Sequence, residues 1–479
     1  MSYLGAAESW AAGRGLRIPY APWSDPDSTA PLRIFAPGYP LVLGTAIRLG
    51  APSVTFARWI QALAAGAAAA LLAWLLDSLA GASAAAIGTT ALLLTPAIVR
   101  DYIAVLSEPL FLAGVVLTIL LMVEGAERPL RYGAAAAAAV AVRYAGAALA
   151  AAAVLWACLT PGDRRARVGR AIQAAAPTLV LALLWFARTA QVARSSPVTV
   201  TRPLLRVGAT LRQGADELAF TLAPGLDDTP WLAPAALLVA VLAVVVIAWS
   251  RRRGLDPRAR AMHQVAGLVA SCYLGLVILA KTFVGHGIPL DQRILSPLLL
   301  CGALALVPAV RLGLARWPPA VRLLAWLGIA AWLGGALVSV KDLNDDISVN
   351  GYDFAESGWR HSETLAWLRR EGAAFALYTN HPVPIYYYLH RPSRDLPARL
   401  APDTLRQFAE RFAARPSALV AFADTTWGDA VPARILAQAL SLREAAHLAD
   451  GTVWLSPVSA GSSSPPPDRP RGPASARHR

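Results

Sequence analysis

Charge is scarce in this sequence. Only 15% of its 479 residues are charged, where a soluble domain carries about 25%. Cysteine is scarcer still. Cys158, Cys272 and Cys301 are odd in number, far apart and each set in an apolar run. A disulfide framework and a thiolate zinc site are thereby excluded, and the three read as small core residues. No Walker-type loop, His-Glu-x-x-His or Gly-x-Ser-x-Gly occurs, so nucleotide hydrolysis and the common hydrolase chemistries lack support. Met1 to Arg17 has neither a basic start nor an apolar run, so it is no secretory signal, and insertion relies on internal spans. No repeat of solenoid period is visible.

What is present is apolar: 56% of residues are hydrophobic, with a positive mean hydropathy. The net charge of +14 comes almost wholly from arginine, concentrated in short loops between apolar runs. In a soluble chain that would suggest nucleic acid; here it is the positive-inside pattern, and no nucleic-acid partner is expected. Residues 1–53, with aromatics, prolines and charges, read as an outer-face loop with juxtamembrane helices. Apolar runs then alternate with charged breaks over 54–340, and a run needs about 20 residues to cross as a helix. Spans are expected near 54–77, 82–100, 106–123, 168–189, 231–250, 262–284, 293–312 and 320–340.

The run from Arg131 to Cys158 is interrupted by Arg143 and Tyr144. Arginine-dense loops at Asp163–Arg170 and Arg251–Arg260 belong inside the cell, which puts 190–230, 285–292 and everything after Lys341 outside. A single span over 131–158 would put the N-terminal loop inside; two short helices meeting at Arg143 put it outside. The second is expected, since a charge in mid-bilayer is costly unless it faces a polar cavity. The alternative is one long tilted helix with a snorkelling arginine. About ten spans result, counting both short helices. Residues 341–458 have the composition of an extracytoplasmic α/β domain, with strands at Phe375–Thr379, Ala418–Ala423 and Gly451–Leu455 and amphipathic helices at Ser362–Arg370 and Thr404–Ala413. Residues 459–479, rich in serine, proline and arginine, read as a disordered tail.

The topology puts three polar clusters on the outer face: the N-terminal loop, the Arg100–Glu108 turn and the Lys281–Arg293 loop. Ser107-Glu108-Pro109 opens an apolar run, where an unpaired carboxylate is expensive, so Glu108 needs a metal, an arginine or a sugar hydroxyl. The bland alternative is a helix N-terminal cap. Pro289-Leu290-Asp291-Gln292-Arg293, with Lys281 and His286 before it, offers phosphate-binding charge or else an interfacial anchor. Arg33 to Pro40 leads the chain down to the membrane, its prolines fixing the path, or is a structural turn.

In order and content these pieces resemble the GT-C class of membrane glycosyltransferases, in particular the family 39 group of protein O-mannosyltransferases and lipid A aminoarabinose transferases. Tyr3-Leu4 through Gly13-Arg14-Gly15-Leu16 is similar to the family's tyrosine, alanine-rich helix and Gly-x-Gly turn. Ala36-Pro37-Gly38-Tyr39-Pro40 resembles its Pro-Pro-Gly-Tyr-Pro element, Ser107-Glu108-Pro109 its Ser-Glu-Pro signature, and Arg143-Tyr144-Ala145-Gly146 its arginine-containing break. Leu290-Asp291-Gln292-Arg293 resembles its Asp-x-Arg-Tyr segment. Tyr378-Thr379-Asn380 and Ile385-Tyr386-Tyr387 resemble a Tyr-Ser-Asn and Ile-Tyr-Tyr pair in the outer domain.

The resemblance implies a multi-pass protein of the cell membrane with a GT-C helical bundle and an extracytoplasmic C-terminal domain. It implies an inverting transfer of a sugar from a polyprenyl phosphate to a hydroxyl of a glycan, lipid or protein. Glu108 would orient the acceptor or bind a divalent metal; Arg293, with Arg143 or Arg33, would hold the lipid phosphate, beside Tyr39, Lys281 and Asp291. The resemblance fixes no cofactor, and a divalent metal is the one candidate. The family has an acidic residue just before the stretch matching Tyr3, and a first span before that. This sequence opens at Met1 with neither, so upstream coding sequence is expected, and Asp25 and Asp27 are the substitutes within the loop. A transporter of lipid-linked sugars would also need a polar cavity, although paired halves are not seen. A non-catalytic relative is the third reading.

Overall fold

Proline, glycine and arginine punctuate the long apolar runs, and several helix ends fall on them, as at Gly81, Pro96, Gly125 and Arg143. The computed structural model describes residues 2–192, 256–283, 291–423 and 430–456. The expected span at 231–250, His286, Pro289, Leu290 and the 459–479 tail lie outside them. The chain divides into two units, Met1–Ile18 with Pro31–Arg360, and Pro19–Ala30 with His361–Arg479.

The first unit is helical. Two short helices, α1 (Ser2–Ala11) and α2 (Gly38–Arg48), precede α3 (Ser53–Ala80), α4 (Ala82–Leu93), α5 (Pro96–Ile103), α6 (Glu108–Glu124), α7 (Pro129–Val142), α8 (Ala147–Leu159) and α9 (Arg164–Gln191). After the undescribed stretch come α10 (Pro257–Phe283), α11 (Gln292–Arg316) and α12 (Pro319–Asn350). Four of these, α3, α9, α10 and α12, are long and apolar enough to cross a membrane. The core gathers α6 (Phe111, Val115, Ile119) against α3 (Leu72, Leu76) and α10 (Val265, Val269). By contrast α9 turns Leu183, Leu184 and Phe186 outward, 68–72% exposed. Such a face is costly in water and at ease among lipid tails. The chain is a helical membrane protein.

Two expectations need adjusting. The run 82–100 is not one helix: Pro96 lacks an N–H and disfavours helical geometry at Thr95, so α4 stops at Leu93 and α5 starts afresh. α12 continues past Val340 to Asn350, since Lys341 and Asp345 pair one turn apart at 2.5 Å and keep a polar stretch helical. The two units accordingly part after Arg360 and not at Lys341. The break at Arg143 is present as expected, a 3-10 turn (Tyr144–Gly146) between α7 and α8. Its backbone stays satisfied, with Arg143 N donating to Ala139 O at 2.9 Å and Gly146 N to Arg143 O at 2.8 Å.

The second unit is α/β. Its six-stranded sheet runs Tyr20–Ala21, Ser393–Asp395, Ala376–Thr379, Ser417–Phe422, Gly451–Leu455, Arg443–Leu448. The first four strands are parallel and the last two join antiparallel. Tyr378, Phe408, Phe412, Leu419 and Trp454 form its core, and Trp23 lies edge-on to Phe408, ring centroids 5.7 Å apart.

Candidate active site

The site grows from the two helix breaks. Pro109 sits in the first turn of α6, where its missing N–H costs no hydrogen bond. This puts Glu108 at the helix start, 5% exposed and level with apolar neighbours. Ser107 does not cap the helix. Its hydroxyl instead bridges Tyr3 Oη at 3.3 Å and Glu108 Oε2 at 3.4 Å. The other carboxylate oxygen, Oε1, pairs with Arg143 Nη1. The break between α7 and α8 thus exists to deliver a guanidinium to a buried carboxylate, and the cost of each charge is offset by the other.

Aromatic side chains wall this pair. The Arg143 guanidinium lies 5.9 Å from the Phe111 ring centre, and Phe111 packs on Tyr273, whose hydroxyl donates to the Ile294 carbonyl at 2.8 Å. Tyr3 stands edge-on to Tyr39 at 5.3 Å and against Phe35 at 5.2 Å. Gly38 admits this arrangement: a Cβ there would lie 2.6 Å from the Ala141 carbonyl oxygen, so only glycine lets α2 begin this close to α7. Asp291 caps α11, accepting from Ile294 N at 3.1 Å, and holds Arg293 through Nε at 2.7 Å and Nη2 at 2.6 Å. Arg293 in turn feels the charges of Glu108 and Asp101.

Of the sequence candidates, Glu108 pairs with Arg143 and Asp291 with Arg293, while Tyr39 packs against Tyr3, whose hydroxyl meets that of Ser107. Arg33 is turned elsewhere: its Nη2 donates to the Val192 carbonyl, and its own carbonyl accepts from Tyr144 Oη at 2.9 Å. Lys281 lies half-buried in the last turn of α10. Asp25 and Asp27 belong to the second unit, where Arg394 holds the carbonyls of Asp25 and Pro26 and Asp27 N donates to Asp25 Oδ1 at 3.2 Å. Among the described residues no three His, Cys, Asp or Glu gather as a metal-binding set.

Sequence reasoning missed Asp101 and Ser107. Asp101 is fully buried on α5, coupled electrostatically to Glu108, Arg143 and Arg293. The only signal in the sequence was its place inside the Arg100–Glu108 turn already suspected.

No protein-family model matches the chain, and no curated protein matches it. Solved structures do. ArnT from Cupriavidus metallidurans in the apo state superposes with a TM-score of 0.57 at 16% identity, covering 96% of this chain and 93% of that one. The same protein bound to undecaprenyl phosphate gives a TM-score of 0.57 at 16% identity, over 95% and 92%. At such identity the likeness is one of fold: the chain shares the overall fold of that protein.

Proposed function

We propose that this protein is an inverting glycosyltransferase that moves a sugar from a polyprenyl-phosphate carrier to a hydroxyl acceptor at the outer face of the membrane. One observation carries the reading: the buried Glu108–Arg143 pair, with Arg293 beside it, in a fold shared with a protein that binds undecaprenyl phosphate. Cleaving a sugar–phosphate bond leaves negative charge on the phosphate, and an arginine fixed in a low-dielectric wall stabilises that charge without reorganising. Arg293 and Arg143 supply it; Glu108 and Asp291 hold them in place.

A lipid-linked donor also explains why so much charge sits level with apolar helices, since the carrier's phosphate lies at the membrane surface while its chain stays among lipid tails. The bilayer and the carrier are the partners; a glycan, lipid or protein hydroxyl is the acceptor. The C-terminal α/β unit lies outside the cell in this reading.

The test uses membranes containing the full chain and radiolabelled polyprenyl-phosphate mannose, glucose or arabinose. Label is expected to reach an acceptor with the native chain and to fall at least tenfold with Glu108→Gln. Full transfer by Glu108→Gln would remove Glu108 from the mechanism. Carrier-dependent flipping of label across the bilayer without transfer would support a transporter instead.

A further inference from the structure

Two carboxylates are buried among the described residues, Glu108 and Asp101, and they stand in opposite conditions. Glu108 has an ion pair and a hydroxyl neighbour. Asp101 has 0% exposure and, among the described residues, no ion pair, and the Ser296 hydroxyl is the one donor beside it. Ser296, which stands beside it, gives its hydroxyl proton to the Arg293 carbonyl at 2.8 Å. Arg143 and Arg293, whose charges Asp101 feels, are bonded to Glu108 and Asp291. A second polar group coupled to Glu108 is in the same position: the Tyr39 hydroxyl is fully buried and also without a partner.

Leaving such groups unsatisfied costs about 1–3 kcal/mol each, more for a charged one. A fold that keeps two of them around one ion pair is arranged for a ligand that answers both, a donor for Asp101 and an acceptor for Tyr39. A hydroxyl-bearing molecule does this. Both oxygens of Glu108 are already engaged, Oε1 by Arg143 and Oε2 by the Ser107 hydroxyl.

We propose that Asp101 is the general base of the transfer, with Tyr39 orienting a hydroxyl of the bound substrates; the assignment rests on the transferase reading above. In the step, the acceptor O–H gives its proton to an Asp101 carboxylate oxygen while the acceptor oxygen bonds to the anomeric carbon. The bond from that carbon to the phosphate oxygen breaks, and its electron pair leaves with the polyprenyl phosphate, held by Arg143 and Arg293. The proton on Asp101 then passes to water. Asp101 is covered in this structure, so the assignment requires α5, a helix of eight residues, to shift when the acceptor binds.

The experiment compares native chain, Asp101→Asn and Asp101→Glu in membranes with the three labelled carriers, across pH, together with the thermal midpoint of each purified variant. Asp101→Asn is expected to lower transfer by about 10²–10⁴-fold, to lose the acidic limb of the pH profile and to melt no lower than native. Asp101→Glu, which keeps the carboxylate, is expected to restore part of the rate and the acidic limb. Transfer by Asp101→Asn within about twofold of native overturns the assignment alone, as does a loss of rate that Asp101→Glu does not relieve while both variants melt as native does. Native chain that moves label from none of the three carriers overturns the transferase reading, and this assignment with it.

Discussion

Glu108, in the first turn of α6, is ion-paired with Arg143 at the break between α7 and α8, and neither residue has another charged partner at bonding distance among the described residues. Removing either partner of such a pair alone leaves the other's charge uncompensated. Arg143→Met leaves a buried carboxylate uncompensated and is expected to destabilise by about 3–5 kcal/mol, whereas the double variant Glu108→Leu, Arg143→Met recovers most of that loss. Thermal unfolding of the purified chain across the double-mutant cycle measures the coupling. Transfer activity is expected to stay lost in the double variant, which separates folding from chemistry.

The two arginines first suspected of holding phosphate differ in what they touch. Arg293→Lys keeps a charge but loses the fork that grips Asp291, and is expected to raise KM for the lipid carrier by about tenfold with little change in stability. Arg33→Lys is expected to leave KM within about twofold, since Arg33 is tied to the Val192 carbonyl. Carrier titrations of the two variants decide the matter; equal effects on KM would place Arg33 at the phosphate.

Asn380 behaves as a piece of strand. Its Nδ2 donates to the Phe422 carbonyl at 2.9 Å, and its Oδ1 accepts from the Phe422 N–H at 2.9 Å. Asn380→Ala is expected to cost about 1–3 kcal/mol by stranding both backbone groups. Asn380→Asp is expected to cost more, because it sets a carboxylate against a carbonyl oxygen. Hydrogen exchange of the Ser417–Phe422 strand in the full chain reads both.

Two half-buried groups in the α/β unit act on its stability with opposite sign. Burial pushes the Asp395 carboxyl up to about 7 and lowers the His381 imidazole to about 4. Against unfolded values of about 3.9 and 6.5, the folded chain binds an extra proton at Asp395 and one fewer at His381. The Asp395 contribution is full below about pH 4 and is lost as pH rises through about 7; that of His381 is full above about pH 6.5 and is lost as pH falls through about 4. Between about pH 4 and 6.5 the two slopes cancel. Asp395→Asn is expected to leave stability rising with pH over that window, and His381→Gln to leave it falling up to about pH 7. Native-state hydrogen exchange corrected for intrinsic rates checks both signs.

The membrane helices were legible because hydropathy over about 20 residues is a local property: the expected 54–77 lies within Ser53–Ala80, and 262–284 overlaps Pro257–Phe283. The strand at Gly451–Leu455 coincides with its expected limits, since a β-branched apolar run between turn residues is equally local. Tyr20–Ala21 was not legible. Two residues have no period, and their partner Ser393 lies far along the chain. The site divides the same way. Glu108 and Arg143 announced themselves as charges in apolar runs, but their pairing is a tertiary fact. Asp101 sits among other polar residues in the sequence, and only its burial sets it apart.

The interrupted segment α7–α8 has a consequence for how the protein is made. At 14 and 13 residues, each limb is about 20 Å long, short of the roughly 30 Å hydrocarbon core. Neither limb can be threaded across alone as the ribosome delivers it. Arg128 and Arg131 lie at one end of the hairpin and Arg164 and Arg165 just beyond the other, so both ends favour the same side of the membrane. The two limbs are therefore expected to enter together, with Glu108 on α6 supplying the counter-ion for Arg143.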